Sequence, residues 1–523
     1  MPIKKYTSDA DNTIVNSYQP NLTTRATGAN MGASDVIETY SIYGRQGSGS
    51  QELSRILTKF PITKISTDRT NKVIPASGSV NFYLKLYNAE TSKTVPTEYT
   101  LIAQAISRSW QEGYGMDMEN YKDLTRGNEG SNWMYATKTQ AWDDVGGDYL
   151  TASNQWDLAT APPQYSQDFS TGLENLEIDI TSLVENWIAG DLGNYGIGIR
   201  LSSSHEAYFS SSTGMNTGSI VHNTGGAQDS YYTKRFFSRG TQYFFKKPTI
   251  EARWNNIKRD DRSNFYFSSS LASAEDNLNT LYIYNYVRGR LSNIPSIGET
   301  GSIMVSLYSG SALNTEPSGS RLILYNGSTS VTGGFVSTGI YSCSIGITSS
   351  EKPIVTLYDV WHSGSHDDEH AATNELLTGS ISTKKLTGNT TVQKRIYFIN
   401  ITNLQNEYRK NENARFNVYV RNKFWSPTIY SKAKEKAEHL PIHSASYRVF
   451  RTFDALEVVP HNTGSDFATG LSYDVSGNYF EFDMNNLEPG YEYAFKLAFY
   501  DDEIKSWQEQ DSVFKFRVLD YEY

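Results

Sequence analysis

The residues best suited to chemistry gather in a few places. His362, His366 and His370 recur at every fourth position in HSGSHDDEH, beside Asp367, Asp368 and Glu369. On a helix that spacing would set three imidazoles on one face, where they could hold zinc. His-Ser-Gly-Ser is a poor helix former and the segment lies between strand-like runs, so a solvated polar loop is the stronger expectation. Asp143-Asp144, with Gly146-Gly147-Asp148 after them, could offer oxygen ligands to calcium, but the spacing is not that of an EF-hand loop, and a plain acidic turn is the simpler reading. Trp110, Trp133, Trp142 and Trp156 could form a platform for stacking sugar rings. Tryptophans in the loops of β-sandwiches more often pin those loops to their own core.

YYTKRFFSRGTQYFFKK (231–247) interleaves basic and aromatic residues, as surfaces for single-stranded nucleic acid do. The stretch is short and the chain around it acidic, so a strand with alternating core aromatics, or a subunit contact, is expected instead. The sequence contains no G-x-S-x-G, no P-loop and no H-E-x-x-H. Carboxylate pairs suited to glycoside hydrolysis are expected by coincidence among 57 acidic residues. Cys343, the single cysteine, alternates like a strand residue within IYSCSIGI. No catalytic, cofactor-binding or metal-binding residue is assigned on this reading, and no cofactor is expected.

The rest of the chain must position whatever these residues do. With 523 residues, two to four domains are expected. Only 20% of residues are charged while 13% are aromatic, and Val, Ile, Tyr and Thr alternate with turn-forming Gly, Asn and Ser. That balance predicts an all-β protein. A net charge of −10, with charges of both signs interspersed, gives no general drive toward nucleic acid. With one cysteine, no intramolecular disulfide can brace the fold. The opening MPIKKYTSDADNTIV lacks the apolar run of a secretory signal, and no stretch approaches the ~18 apolar residues of a membrane helix. Synthesis and folding in a reducing cytosol are therefore expected.

Residues 1–35 show no sustained period and predict an extended arm, ordered against a neighbouring subunit, in preference to a frayed terminus. From residue 36, VIETYSIYG, RILTKFPITKI, SVNFYLKLYNAE and EYTLIAQAI read as strands, and NFYLKLYN sets Phe82, Leu84 and Leu86 on one face. Residues 111–170 look like a long loop excursion. SLVENWIAGDLGNYGIGIRL (182–201) combines a short helix carrying Leu183, Val184, Trp187 and Ile188, capped by Thr181 or Ser182 and stopped by Gly190, with a strand. In that strand Gly196 and Gly198 would admit a close neighbour, so the stretch reads as scaffold.

The polar NNIKRDDRSNF marks a boundary after Trp254. A second β unit is expected over 265–385, from TLYIYNYV, SIMVSLYS, SRLILYN, GIYSCSIGI and PIVTLYDVW, and a third over 390–523. In the third, LEPGYEYAFKLAF suggests the tyrosine corner of immunoglobulin-like sandwiches through Tyr493, with Tyr491 as the alternative, and SPTIYSKAKEKAEHL reads as a short helical insertion.

The stretch from Ser109 to Leu201 resembles the DNRLRE domain, a β-rich module of surface proteins. The matching pieces are SW at 109–110, EG at 112–113, NW at 132–133, GGDY at 146–149, LEIDITSLVENWIAGDLGNYGIGIRL at 176–201 and RFFSRGTQYFFKKPTIEARW at 235–254, with QELSRILTKFPIT (51–63) upstream. The resemblance implies a jelly-roll-like sandwich used for adhesion or structure. The full layout is similar to virion structural proteins of marine, cyanophage- and pelagiphage-like tailed bacteriophages. It is carried by TTRATGANMGASDVIETYSIYG (23–44), LYIYNYVRG (281–289), STGIYSCSIGI (337–347), ARFNVYVRNKFWSP (414–427) and LSYDVSGNYFEFDMNNLEPGYEY (471–493).

The expectation is thus an extended N-terminal arm (1–35), a DNRLRE-like jelly-roll domain (36–255), an immunoglobulin-like sandwich (265–385) and an immunoglobulin- or fibronectin-like sandwich (390–523). The resemblance implies a non-enzymatic part of the virion, at the neck, tail, baseplate or capsid surface, whose partners are other virion proteins and copies of itself, with neither nucleic acid nor membrane insertion. A carbohydrate-binding module that touches host surface glycan is the competing class, and a polysaccharide depolymerase the most remote.

Overall fold

The computed structural model describes residues 2–520 apart from 46–48, 93, 125–128, 151–163, 211–217, 271, 311–316, 318, 349–353, 355, 365–373, 385–395, 427–428 and 430–438. Strand takes 44% of the chain and helix 6%, so the protein is all-β. It divides into two compact units: Met1–Asn255 with Thr463–Ala468 and Asn486–Glu488, and the remainder.

In the first unit two sheets face each other. One holds β1 (Ile3–Thr7), β5 (Asn81–Leu86), β8 (Leu176–Asp179) and β11 (Thr249–Arg253), in the order β1-β11-β5-β8. The other holds β3 (Val36–Gly44), β4 (Ser50–Lys59), β6 (Tyr99–Ala105), β7 (Gln164–Phe169), β9 (Ile197–Leu201) and β10 (Tyr231–Phe237), in the order β10-β3-β4-β9-β6-β7. A further strand, β2 (Ala10–Val15), pairs with β4. Phe82, Leu84 and Leu86 of β5 are buried as their alternation predicts, against Ile56, Leu101, Ile199 and Phe236 of the facing sheet.

Three local expectations are corrected here. Residues 3–15 are not an arm: β1 pairs with β11 from Ile3↔Arg253 to Thr7↔Thr249, and β2 with β4 from Ala10↔Lys59 to Val15↔Ser54. Their apolar residues, such as Tyr6 and Ile14, are too sparse to show a period but complete cores formed by distant strands. RILTKFPITKI is not one strand; it ends at Lys59, and α1 (Ile62–Thr70) begins after Pro61, which has no N–H for a ladder. The helix expected in the 182–201 stretch is present as α2 (Thr181–Ala189), with Leu183, Val184 and Trp187 buried and Gly190 closing it in the left-handed conformation at φ +84°. Its N-terminus lacks a side-chain cap. The Thr181 hydroxyl instead accepts from the Phe82 amide at 2.8 Å and donates to Asp179, tying the helix to β5.

The second unit begins with a seven-stranded sheet. Its strands are β12 (Phe265–Tyr266), β13 (Asn279–Tyr284), β16 (Ile303–Gly310), β17 (Val331–Ser337), β18 (Ile340–Ile345), β19 (Thr356–His362) and β20 (Glu375–Lys384), and a separate hairpin, β14 (Tyr286–Val287) and β15 (Arg290–Leu291), follows β13. The sheet runs β12-β20-β19-β16-β17-β18-β13 and wraps one core that includes Phe265, Leu281, Leu307, Tyr341 and Trp361. SRLILYN, expected as a strand, instead contributes a bridge from Arg321, a bond from the Leu322 amide to the Leu307 carbonyl and a buried Leu324; glycine-containing VTGGFVS is the strand.

Two sheets follow. The first holds β21 (Tyr397–Ile401), β23 (Asn413–Asn422), β26 (Ser472–Asp474) and β27 (Gly477–Asp483). The second holds β22 (Glu407–Arg409), β24 (Ala445–Arg451), β25 (Glu457–Val459), β28 (Glu492–Asp501), β29 (Ser506–Glu509) and β30 (Phe514–Leu519). Phe416 and Phe480 of the first stack at 5.1 Å, while Phe495 and Phe516 of the second stack at 4.6 Å and Phe495 approaches Phe416 at 4.8 Å. Tyr493 is fully buried against Phe516. A hydroxyl bonded to local backbone is found at Tyr408, which accepts from the Gln405 amide at 2.8 Å.

Candidate functional site

The 182–201 stretch meets its neighbours as scaffold. A Cβ on Gly196 would fall 2.3 Å from the Thr58 carbonyl oxygen, and one on Gly198 would fall 2.2 Å from Cε1 of Tyr149. Gly196, at φ +93°, lets the chain entering β9 lie against β4, and Gly198 lets β9 lie under the ring of Tyr149.

That contact forms one wall of a cleft of about 490 Å³ on the outer face of the β4-β9-β6 sheet. Alternation fixes its floor: Ile197, Ile199 and Leu201 point into the core, which leaves Arg200 outward, and Gln104 of β6 and Arg55 of β4 lie on the same side. Arg55 is buried and grips Glu206 at two points, Nε to Oε1 and Nη2 to Oε2, each 2.9 Å. Its Nη1 donates to the Gly146 carbonyl at 3.1 Å. Arg200 donates from Nη2 to Gln104 Oε1 at 3.0 Å, while its Nε is buried with no hydrogen-bond partner. The Tyr149 ring lies between the two guanidiniums, 5.7 Å from Arg55 and 5.4 Å from Arg200. Burial holds the Arg200 pKa below its ordinary value and, despite both cations, the Tyr149 phenol above its own.

The acidic turn is the opposite wall. Both Asp148 oxygens accept backbone amides, from Asp144 at 2.9 Å and Asp143 at 3.0 Å, and Arg108 pairs with Asp143 and Asp148 at 3.1 Å each. This carboxylate braces its own turn, and among the described residues no group of three or more His, Cys, Asp or Glu could hold a metal ion. The cleft thus gathers guanidinium, amide and carboxylate groups, largely paired with one another, around one aromatic ring.

The tryptophans do not form its surface. Trp133 and Trp142 are 0% and 5% exposed and pack with Ile14, Leu53 and Leu57, and Trp110 donates to the Tyr195 carbonyl at 2.8 Å. Trp156 lies outside the described residues, as do His366 to His370. His362 is buried in β19, with Nε2 3.1 Å from the Ser306 hydroxyl.

In the basic-aromatic stretch, Phe236 is core and Arg235 pairs with Glu38 at 2.9 Å. Lys234 is buried, donating to Asn88 Oδ1 and to the carbonyls of Gly172 and Glu174 at 2.7–2.9 Å, and burial pushes its pKa down to about 8. These two cations are occupied within the unit. A second depression, about 400 Å³, is lined by Tyr40, Ile42, Glu52, Tyr121 and Tyr232, and there Tyr40 donates to Tyr121 at 3.1 Å. Of these residues only Tyr232 lies in a stretch singled out from sequence, because the alternation that signals a strand does not show which residues three strands will bring together.

No family model matches the chain, and no curated protein matches it. Among solved structures it is similar to titin domains crystallised in complex with telethonin, at 12% identity and a TM-score of 0.14, over 49% of this chain and 91% of that one. It is also similar to a Salmonella alpha-2-macroglobulin mutant, at 6% identity and a TM-score of 0.15, over 98% of this chain and 26% of that one. Scores of this size carry no argument about this chain. Among the described residues no helix is long and apolar enough to cross a membrane.

Proposed function

We propose that the chain is a non-enzymatic structural component of a tailed-phage virion, placed at the neck or collar, tail, baseplate or capsid surface. It works through contacts with other virion proteins and with copies of itself. The observation that supports this reading is the set of large apolar side chains held in solvent at turns and hairpins: Phe453 is 86% exposed, Phe424 74%, and Tyr286 and Ile504 more than half. Apolar area displayed this way is recovered when another protein covers it. The test is to infect the host with phage whose copy of the gene carries a tag and to probe purified particles. The tagged chain is expected in intact particles, in a fixed ratio to the capsid protein; particles that lack it would overturn the proposal.

A second reading, a carbohydrate-binding module that contacts host surface glycan, draws on the Arg55–Arg200–Tyr149 cleft. It draws nothing from Trp133 and Trp142, which are buried and pin their loops to the core, as the stronger sequence expectation had it. Titrating the chain with oligosaccharides released from the host envelope tests it: binding lost in Arg200→Ala is expected, and no binding by the intact chain would dismiss it.

A further inference from the structure

We propose that the hairpin β14–β15 docks on the acidic β28–β29 turn of a second copy of this chain, giving a head-to-tail contact. The inference rests on the reading of the chain as a subunit that meets copies of itself.

The hairpin Tyr286–Leu291 forms a two-stranded sheet of its own, pairing Tyr286↔Leu291 and Val287↔Arg290. Isolated two-stranded hairpins are marginal in water. This one is held at its base, where the Asn285 amide donates to the Gly339 carbonyl at 2.8 Å and the Asn285 side chain to the Ser292 carbonyl at 2.6 Å. Beyond that base every residue is exposed, including Tyr286, Val287 and Leu291. The turn is Arg288-Gly289, at φ +51° and +77°. Two successive positive φ values suit Asn-Gly or Gly-Gly, and arginine is disfavoured at the first position. The tip therefore keeps a guanidinium against local backbone preference, as recognition sites do. Neither Arg288 nor Arg290 has an ion pair among the described residues.

The complementary surface is on the same chain. Between β28 and β29 the turn Asp502–Lys505 is exposed, and Ile504 at its tip is 57% exposed. Asp501 Oδ1 accepts the Glu503 amide at 2.9 Å, which braces the turn and leaves Asp502 and Glu503 facing solvent. One tip thus combines Arg288 and Arg290 with Tyr286, Val287 and Leu291; the other combines two anions, Asp502 and Glu503, with Ile504 and one cation, Lys505. On a chain whose net charge is −10, copies repel in general and attract where unlike tips meet. A contact between two different patches is heterologous and generates a ring when the rotation closes, or a filament when it does not.

Sedimentation velocity of the purified full chain over a concentration series tests the contact, with circular dichroism to verify that each variant is folded. The intact chain is expected to self-associate, more weakly as salt screens the charges. Arg288→Glu with Arg290→Glu, or Asp502→Lys with Glu503→Lys, should each weaken association by on the order of tenfold or more, through like-charge repulsion. Mixing the two double variants, or combining all four changes in one chain, should restore it. An intact chain that stays monomeric up to roughly 0.1 mM would overturn the proposal. So would unaltered association of either double variant, failure of the swap to restore it, or an effect of Arg288→Glu confined to retention on nucleic acid. A monomeric chain that still enters particles would overturn the hairpin contact alone; a self-associating chain absent from particles would overturn the virion reading alone.

Discussion

Arg55 and Glu206 stand 151 residues apart in sequence, yet close a two-point ion pair with both bonds at 2.9 Å. Both residues are almost fully excluded from solvent, 6% and 3% exposed. The pair fastens β4 to the segment after β9 and fixes the back of the cleft.

Removing one partner of a buried pair leaves a charge without compensation, which costs about 3–5 kcal/mol. Glu206→Gln is therefore expected to lower the denaturant midpoint of the first unit strongly. Arg55→Met with Glu206→Leu, which removes both charges, should cost much less. Urea titrations of the three chains check the order; a Glu206→Gln midpoint equal to that of the intact chain would refute it.

Gly198→Ala places a methyl group 2.2 Å from the Tyr149 ring, so the ring must move or the strand must bend. A loss of about 1–3 kcal/mol is expected, as for overpacking generally. Pairing the change with Tyr149→Ala should recover part of it. Thermal melts of the single and double variants measure the coupling.

The outer face of the β1-β11-β5-β8 sheet carries a charge ladder. Buried Glu251 is bonded to Arg253 at 2.6 Å and flanked by Lys5 and Lys85 at 3.8 and 3.9 Å. Burial alone would raise its pKa, but Lys85, Lys5 and Arg253 outweigh it and hold the carboxyl at about 2, below its ordinary 4.5. A carboxyl depressed in the folded state stabilises above its unfolded pKa and loses that contribution as pH falls through the folded value. Stability should therefore decline between about pH 5 and pH 2, and Glu251→Gln should be less stable at neutral pH with a flatter acid dependence. Melts across that pH range decide it; parallel curves for the two chains would be the contrary result.

Deleting residues 2–15 removes β1 and β2 from both sheets and exposes the cores that Tyr6 and Ile14 close. The truncated chain should unfold at lower temperature and be cut more readily by protease. The extended arm expected from sequence required the domains to stay intact. Limited proteolysis separates the two.

Much of the architecture was legible because it follows from local rules. Alternation placed Phe82, Leu84 and Leu86 inward, the 3.6-residue period placed Leu183, Val184 and Trp187 on one helix face, and Gly190 ended that helix. Gly196 and Gly198 announced a close approach without saying to what. Where the period was absent the reading failed. The first fifteen residues carry too few apolar positions to show a pattern, and VTGGFVS is a strand only because β16 and β18 pair with it on either side.

The sequence by itself determined that this is an all-β protein with aromatic cores and no disulfide to brace it, since those properties reside in composition and in periods of two to four residues. Only the tertiary structure decided that Arg55, Gln104, Arg200 and Tyr149 share a cleft while Trp133 and Trp142 lie beneath it. Such neighbours come from strands and loops separated by tens of residues, and which of them meet is set by strand order and register, which local alternation does not encode.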